Sequence, residues 1–204
     1  MGNENDQGGQ TFLSVCFVAL SFCCSCSKTS VTKVEGDKKL QWADKKATEL
    51  VAGPHKVSIP PGWRDLSELK NADAPKLEPG STGMTPEKLS EGGMQTNIVL
   101  TWTQLPPGTL PSCDELSQAL AKQYNATISN LEKLTVETDQ ACGWRATNND
   151  ATITLLVRFQ GDHELVAQWT RMKTLGNEKA SSDTKVWAQT RSALHFPIEA
   201  ASTP

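Results

Sequence analysis

Six cysteines, three histidines and six tryptophans carry most of the chemical potential of this chain. Cys113 and Cys142 stand alone in the body of the sequence. Cys113 follows Ser112 at the start of an expected helix, where the helix dipole lowers a thiol pKa and favours a nucleophile. No histidine lies near it in sequence to serve as its base. In an exported protein the pair is better read as one disulfide, and in an intracellular one as two buried thiols. Cys23, Cys24 and Cys26 include a C-x-x-C spacing, but the spacing ends an apolar leader rather than opening a helix in a βα unit, so redox or metal chemistry is not the expectation. His55, His163 and His195 fall in separate elements. A metal site or a triad would need the fold to collect two of them with a carboxylate. His163, between Asp162 and Glu164, reads as a solvated hairpin tip.

The chain contains no G-x-S-x-G elbow, H-E-x-x-H pair, Walker A loop or dinucleotide fingerprint. No catalytic residue, metal or cofactor is therefore expected. Trp102, Trp169 and Trp187 sit at core-facing positions of their elements. Trp63 and Trp144 each follow a glycine and are the candidate ligand-binding residues, expected at the mouth of a cleft. A net charge of -3 and a pI near 5.7 provide no field for holding phosphates, so nucleic acid is not an expected partner.

The elements that position these residues begin with a leader. Residues 11–26, TFLSVCFVALSFCCSC, are uncharged and apolar, too short to span a bilayer and suited to a signal peptide's hydrophobic region. The end of the leader resembles a lipobox in two registers. Cys26 has Ser25 before it and Cys23 at the third place; Cys23 has Leu20 and Ser21 well placed but Phe22 immediately before it. Cys26 and Cys23 are thus the candidate lipidation sites, which would tether the chain without a spanning helix. Against this, the first ten residues lack Lys and Arg and carry Glu4 and Asp6. Gly2 invites myristoylation, but Asp6 stands where Ser or Thr is wanted. The resulting expectation is an exported, membrane-anchored envelope protein, periplasmic or at the outer membrane. In that setting Cys113 and Cys142 would close a loop worth roughly 3 kcal/mol on the chain-entropy argument.

The expected organisation is a signal peptide over 1–26, a polar tether over 27–54, a single domain over 55–196 and a disordered tail over 197–204. Within the tether, Leu40, Ala43, Ala47 and Leu50 share a helical face, though a solvated linker is favoured. His55 to Ile59 alternates like a half-buried strand, and Pro60-Pro61-Gly62 turns the chain into Trp63. Residues 65–93 read as a long surface excursion rich in Pro, Gly, Ser and charge. Gln95 to Thr103 is a strand presenting Ile98, Leu100 and Trp102 on one face. Ser112 and Glu115 form a capping box for a helix to about Tyr124, with Leu116, Ala119, Leu120 and Gln123 along one side. Strands follow around Val136, over Gly143 to Thr147, Ala151 to Phe159 and Glu164 to Met172, separated by turns at 148–150 and 161–162. A closing helix near 182–195 carries Val186, Trp187, Thr190 and Leu194. Asn125-Ala126-Thr127 matches the glycosylation acceptor pattern. The order predicts an α+β domain: a central antiparallel β-sheet flanked by helices, an α/β/α sandwich.

Several of these phrases together resemble the PsbP-like family, whose fold is shared with the Mog-type Ran-binding proteins. They are VSIPPGW (Val57 to Trp63), NIVLTW (Asn97 to Trp102), the helix after Ser112, CGWRAT (Cys142 to Thr147) with TITLLVRF, and the closing helix ending RSALHF. The resemblance implies the same sheet sandwiched by helices over about residues 52–196. The family includes photosystem accessory subunits and bacterial surface lipoproteins, so it implies no single function, and no functional residue carries over. The functional expectation is a non-enzymatic protein-binding or assembly domain on a lipid anchor. The alternative is a small-ligand module in which the 64–94 loop closes over a cleft lined by Trp63 and Trp144.

Overall fold

A computed structural model describes residues 41–70, 77–88, 96–108, 110–124, 130–134, 141–147, 151–173 and 177–196. The leader with Cys23 and Cys26, the strand expected at Val136, the glycosylation pattern and the tail lie outside these residues.

The first strands form a hairpin, β1 (Glu49–Ala52) and β2 (His55–Ser58), paired antiparallel through Gly53-Pro54. This corrects the expected tether. The helical spacing of Ala43, Ala47 and Leu50 competes with a simple alternation in which Leu50, Ala52 and Val57 point inward and Glu49, Val51 and Lys56 outward. Pro54 disfavours helical backbone at the preceding residue, and Gly53 at φ 58° supplies the positive φ that a two-residue hairpin turn needs. Residues 41–48 are also packed onto the domain, without forming a helix.

Among the described residues the main sheet holds seven strands, all antiparallel, in the order β3-β4-β5-β9-β8-β7-β6. They are β3 (Trp63–Asp65), β4 (Ser81–Pro86), β5 (Asn97–Gln104), β6 (Asn130–Leu134), β7 (Ala141–Thr147), β8 (Ala151–Gln160) and β9 (His163–Met172). Strands β3 and β4, with a tight helical turn at Leu66–Glu68, replace much of the expected excursion over 65–93. The Ser, Thr, Gly and Pro content of β4 hides a strand that pairs with β3 on one side and β5 on the other. Helix α1 (Cys113–Tyr124) opens on the expected capping box: the Ser112 hydroxyl accepts from Glu115 N–H at 3.2 Å, and Glu115 Oε2 accepts from Ser112 N–H at 2.7 Å. Helix α2 (Asn177–Ala193) starts earlier than expected.

The two sheet faces have different covers. On one face Met84, Ile98, Leu100, Leu156, Leu165, Ala167 and Trp169 meet the β1–β2 hairpin and α2, which contributes Val186, Trp187 and Leu194. On the other, Trp144, Leu155, Val157 and Val166 meet Leu116 and Leu120 of α1. The expected α+β class, a central antiparallel sheet between helical layers, is the architecture observed. The Cys113–Cys142 disulfide is present and ties the start of α1 to β7, with a Cα–Cα distance of 5.6 Å.

Candidate functional site

The hairpin and the strand register bring two of the three histidines, His55 and His163, to one end of the sheet. Gln104, the last residue of β5, pairs with His163, the first of β9, and Gln160 closes β8 opposite the same histidine. Trp102 faces Leu165 across the β5–β9 ladder, so His163 is its diagonal neighbour on the same face. The two rings stack, with centroids 4.8 Å apart and planes 16° from parallel. His55, delivered by the hairpin turn, meets the Trp102 ring edge-on at 5.4 Å. Gly53 lies so close to this indole that a Cβ there would fall 2.5 Å from ring carbons, so its missing side chain is needed for the close approach as well as for the turn.

Polar partners fix each imidazole. His55 Nε2 lies 3.0 Å from Gln160 Oε1, within hydrogen-bond distance. His163 Nδ1 lies 2.7 Å from Asp162 Oδ1. The other oxygen of Asp162 accepts from Gln104 Nε2 at 2.9 Å. These bonds, from Gln104 first and then His163, hold the Asp162 carboxyl below its usual range, so it is a dependable negative charge. Its backbone carbonyl accepts from Leu105 N–H at 2.7 Å, binding the start of the 105–112 loop to the same turn. The cluster is open to solvent on one side: Trp102, His55 and His163 are half-buried, Asp162 is 58% exposed, and Leu110 in the adjoining loop is 57% exposed. Together these groups offer aromatic and imidazole surface, an anchored carboxylate and side-chain amides.

Trp63 and Trp144 are placed otherwise. Trp63 is 3% exposed among the core residues facing the hairpin and α2, and Trp144 is 1% exposed beneath α1 on the opposite face. They do not share a cleft, and the described parts of the segment expected to close over them are β3, the tight turn and β4. A preceding glycine signals a change of chain direction, not exposure. The reading of His163 as a solvated tip also differs from the structure, because its ring packs on Trp102. The available signal was modest: His55 and His163 each open a strand directly after a Gly-containing turn. His195 remains apart, at the end of α2 with φ 55°.

A second unusual group lies beside this end but on the α1 side of the sheet. Glu164 is 2% exposed, sits opposite Phe159 and Thr103 in the ladders, and its Oε1 has no hydrogen-bond partner among the described residues. Burial raises its pKa to about 7. Among the described residues no three His, Cys, Asp or Glu side chains gather to hold a metal ion.

The fold and the site define an α+β domain with a half-exposed aromatic cluster at one sheet end. Similar solved structures include a Mog1 protein variant (14% identity over 74% of this chain and 90% of the other, TM-score 0.45). The Saccharomyces cerevisiae Ran-binding protein Mog1p is similar at 15% identity over 76% of this chain and 92% of the other, TM-score 0.44. Cyanobacterial PsbP (CyanoP) from Synechocystis is similar at 13% identity over 85% of this chain and 99% of the other, TM-score 0.39. No protein-family profile and no curated protein matches the chain.

Proposed function

We propose that this chain is an exported, membrane-tethered, non-enzymatic module that docks a protein partner on the histidine–tryptophan end of its sheet. The observation that carries the docking reading is the His55–Trp102–His163 stack, half-exposed and surrounded by loops. Aromatic rings anchored in place, with polar groups at their rim, give interfaces most of their binding energy because little side-chain entropy remains to be lost. Asp162, bonded to His163 and 58% exposed, adds a charged contact at the rim of that surface. The compartment half of the proposal is supported by the Cys113–Cys142 disulfide, which persists where the surroundings are oxidising, and by the apolar leader ending at Cys23 and Cys26.

The test compares wild-type protein with Asp162→Ala and His163→Ala in pull-downs from envelope extract. Both variants alter exposed or half-exposed side chains, so their fold can be checked by circular dichroism. A partner band retained by wild type and lost by both supports the proposal. Equal retention by all three proteins, or no retained band, counts against it. Intact mass of the membrane-extracted protein tests the tether: a lipid-modified N-terminal cysteine is expected, and an unprocessed chain would remove the export reading.

A further inference from the structure

Residues 41–48 are joined to the domain in a way that sets them apart from every neighbouring element. Arg64 on β3 is 7% exposed and Glu68 in the tight turn 9% exposed, and they pair at 2.5 Å from Nε to Oε2. What this buried pair holds is backbone. Arg64 Nη2 donates to the carbonyl of Ala43 at 2.7 Å and lies 3.5 Å from that of Lys45, while Glu68 Oε1 accepts from Ala47 N–H. Ala43 N–H donates to the Glu68 carbonyl at 2.8 Å. Trp42 lays its ring 5.2 Å from the Arg64 guanidinium carbon and donates from Nε1 to the Glu87 carbonyl at 3.2 Å.

Little apolar surface holds the segment down. Asp44, Lys45, Lys46 and Thr48 are exposed, and Trp42 is only half-buried. The next element differs: Leu50 in β1 is fully buried in the main core. A stretch fixed by one buried charge pair and a few polar bonds to Glu68, Lys70 and Glu87, with few buried apolar contacts, is the kind that opens locally while the rest of a domain stays folded. The pair itself resists separation because Glu68 would be left as an uncompensated buried charge, while Arg64 would keep only the partly exposed Glu87 at 3.5 Å.

We infer that residues 41–48 are a strap locked by Arg64–Glu68, able to open as a unit, and that its opening exposes the Lys45–Lys46 region to trypsin-like proteases. In the closed strap both lysine side chains face solvent, but the carbonyls of Ala43 and Lys45 and the N–H of Ala47 are engaged, so the backbone cannot extend into a protease cleft. When it opens, a cut there separates the domain from everything preceding it. The lock therefore controls whether the domain stays joined to its N-terminal segment.

Limited trypsin digestion of the full chain, followed by intact-mass analysis, tests this with two variants. Glu68→Gln weakens the lock from the domain side; Trp42→Ala loosens the strap from its own side without changing β3, the turn or the core. Because cleavage follows the open population when opening is fast, both variants should give products beginning at Lys46 or Ala47 at least about tenfold faster than wild type, with the disulfide-closed body intact. Wild type losing the strap as fast as the variants would overturn the lock. Loss of the body at the same rate as the strap in Trp42→Ala would show that the strap does not open separately.

Discussion

Replacing Glu164 by glutamine should make the protein's stability less dependent on pH, and the size of the effect follows from the carboxyl's surroundings. The side chain is 2% exposed and opposite Phe159, and burial raises its pKa from 4.5 to about 7. Between those values the folded protein holds the proton while the unfolded chain has released it. Stability must then fall as pH rises through this window, and above about pH 7 the full penalty applies. A shift of that size corresponds to about 3 kcal/mol. Glu164→Gln keeps the shape and polarity but cannot ionise. Urea unfolding of both proteins from pH 4 to pH 8, at constant ionic strength, gives the difference in stability at each pH. That difference should move in the variant's favour by about 3 kcal/mol between the two ends, whatever constant offset the amide introduces. A flat difference curve would refute the reasoning, since it would mean that Glu164 ionises in the folded protein as readily as in the unfolded chain.

Other consequences can be measured on the same protein. Cys113→Ser with Cys142→Ser, or reduction of the native chain, should lower stability by about 3.5 kcal/mol on the chain-entropy argument for a separation of 29 residues, read by denaturant midpoint. Gly53→Ala forces a Cβ onto the Trp102 ring at a positive φ and should cost about 1–3 kcal/mol, with a changed tryptophan near-ultraviolet signal. Ser112→Ala removes the hydroxyl that caps α1 and should cost about 1 kcal/mol, read by thermal melting.

Local signals were the legible part of this fold. The Ser112–Glu115 box, the buried spacing of Val186, Trp187, Thr190 and Leu194, and the β-forming runs of β5, β8 and β9 all state their geometry within a few residues. The Cys113–Cys142 pairing was legible too, because those two cysteines had no other candidates in the body. What was hidden depends on distant partners. Residues 41–52 carry alanines and leucine at helical spacing, and only the pairing with β2 and the Arg64–Glu68 contact decide against a helix or free linker. Strand β4 has almost no apolar character of its own and forms because Met84 meets the core beside Ile98. The histidine cluster was the least accessible: His55 lies 105 residues from its Gln160 partner, and no local pattern announces a contact set by the register of the hairpin and three strands.

The most direct test of the docking proposal is site-specific photo-crosslinking in the native host. A photoreactive residue placed at exposed Asp162, in contact with His163 at the histidine–tryptophan end, should give one discrete adduct with a protein partner, whereas the same residue at exposed Gln189 on α2 should give none. Adducts at Gln189 and not at Asp162, or none at either position, would contradict the assignment of that sheet end as the docking surface.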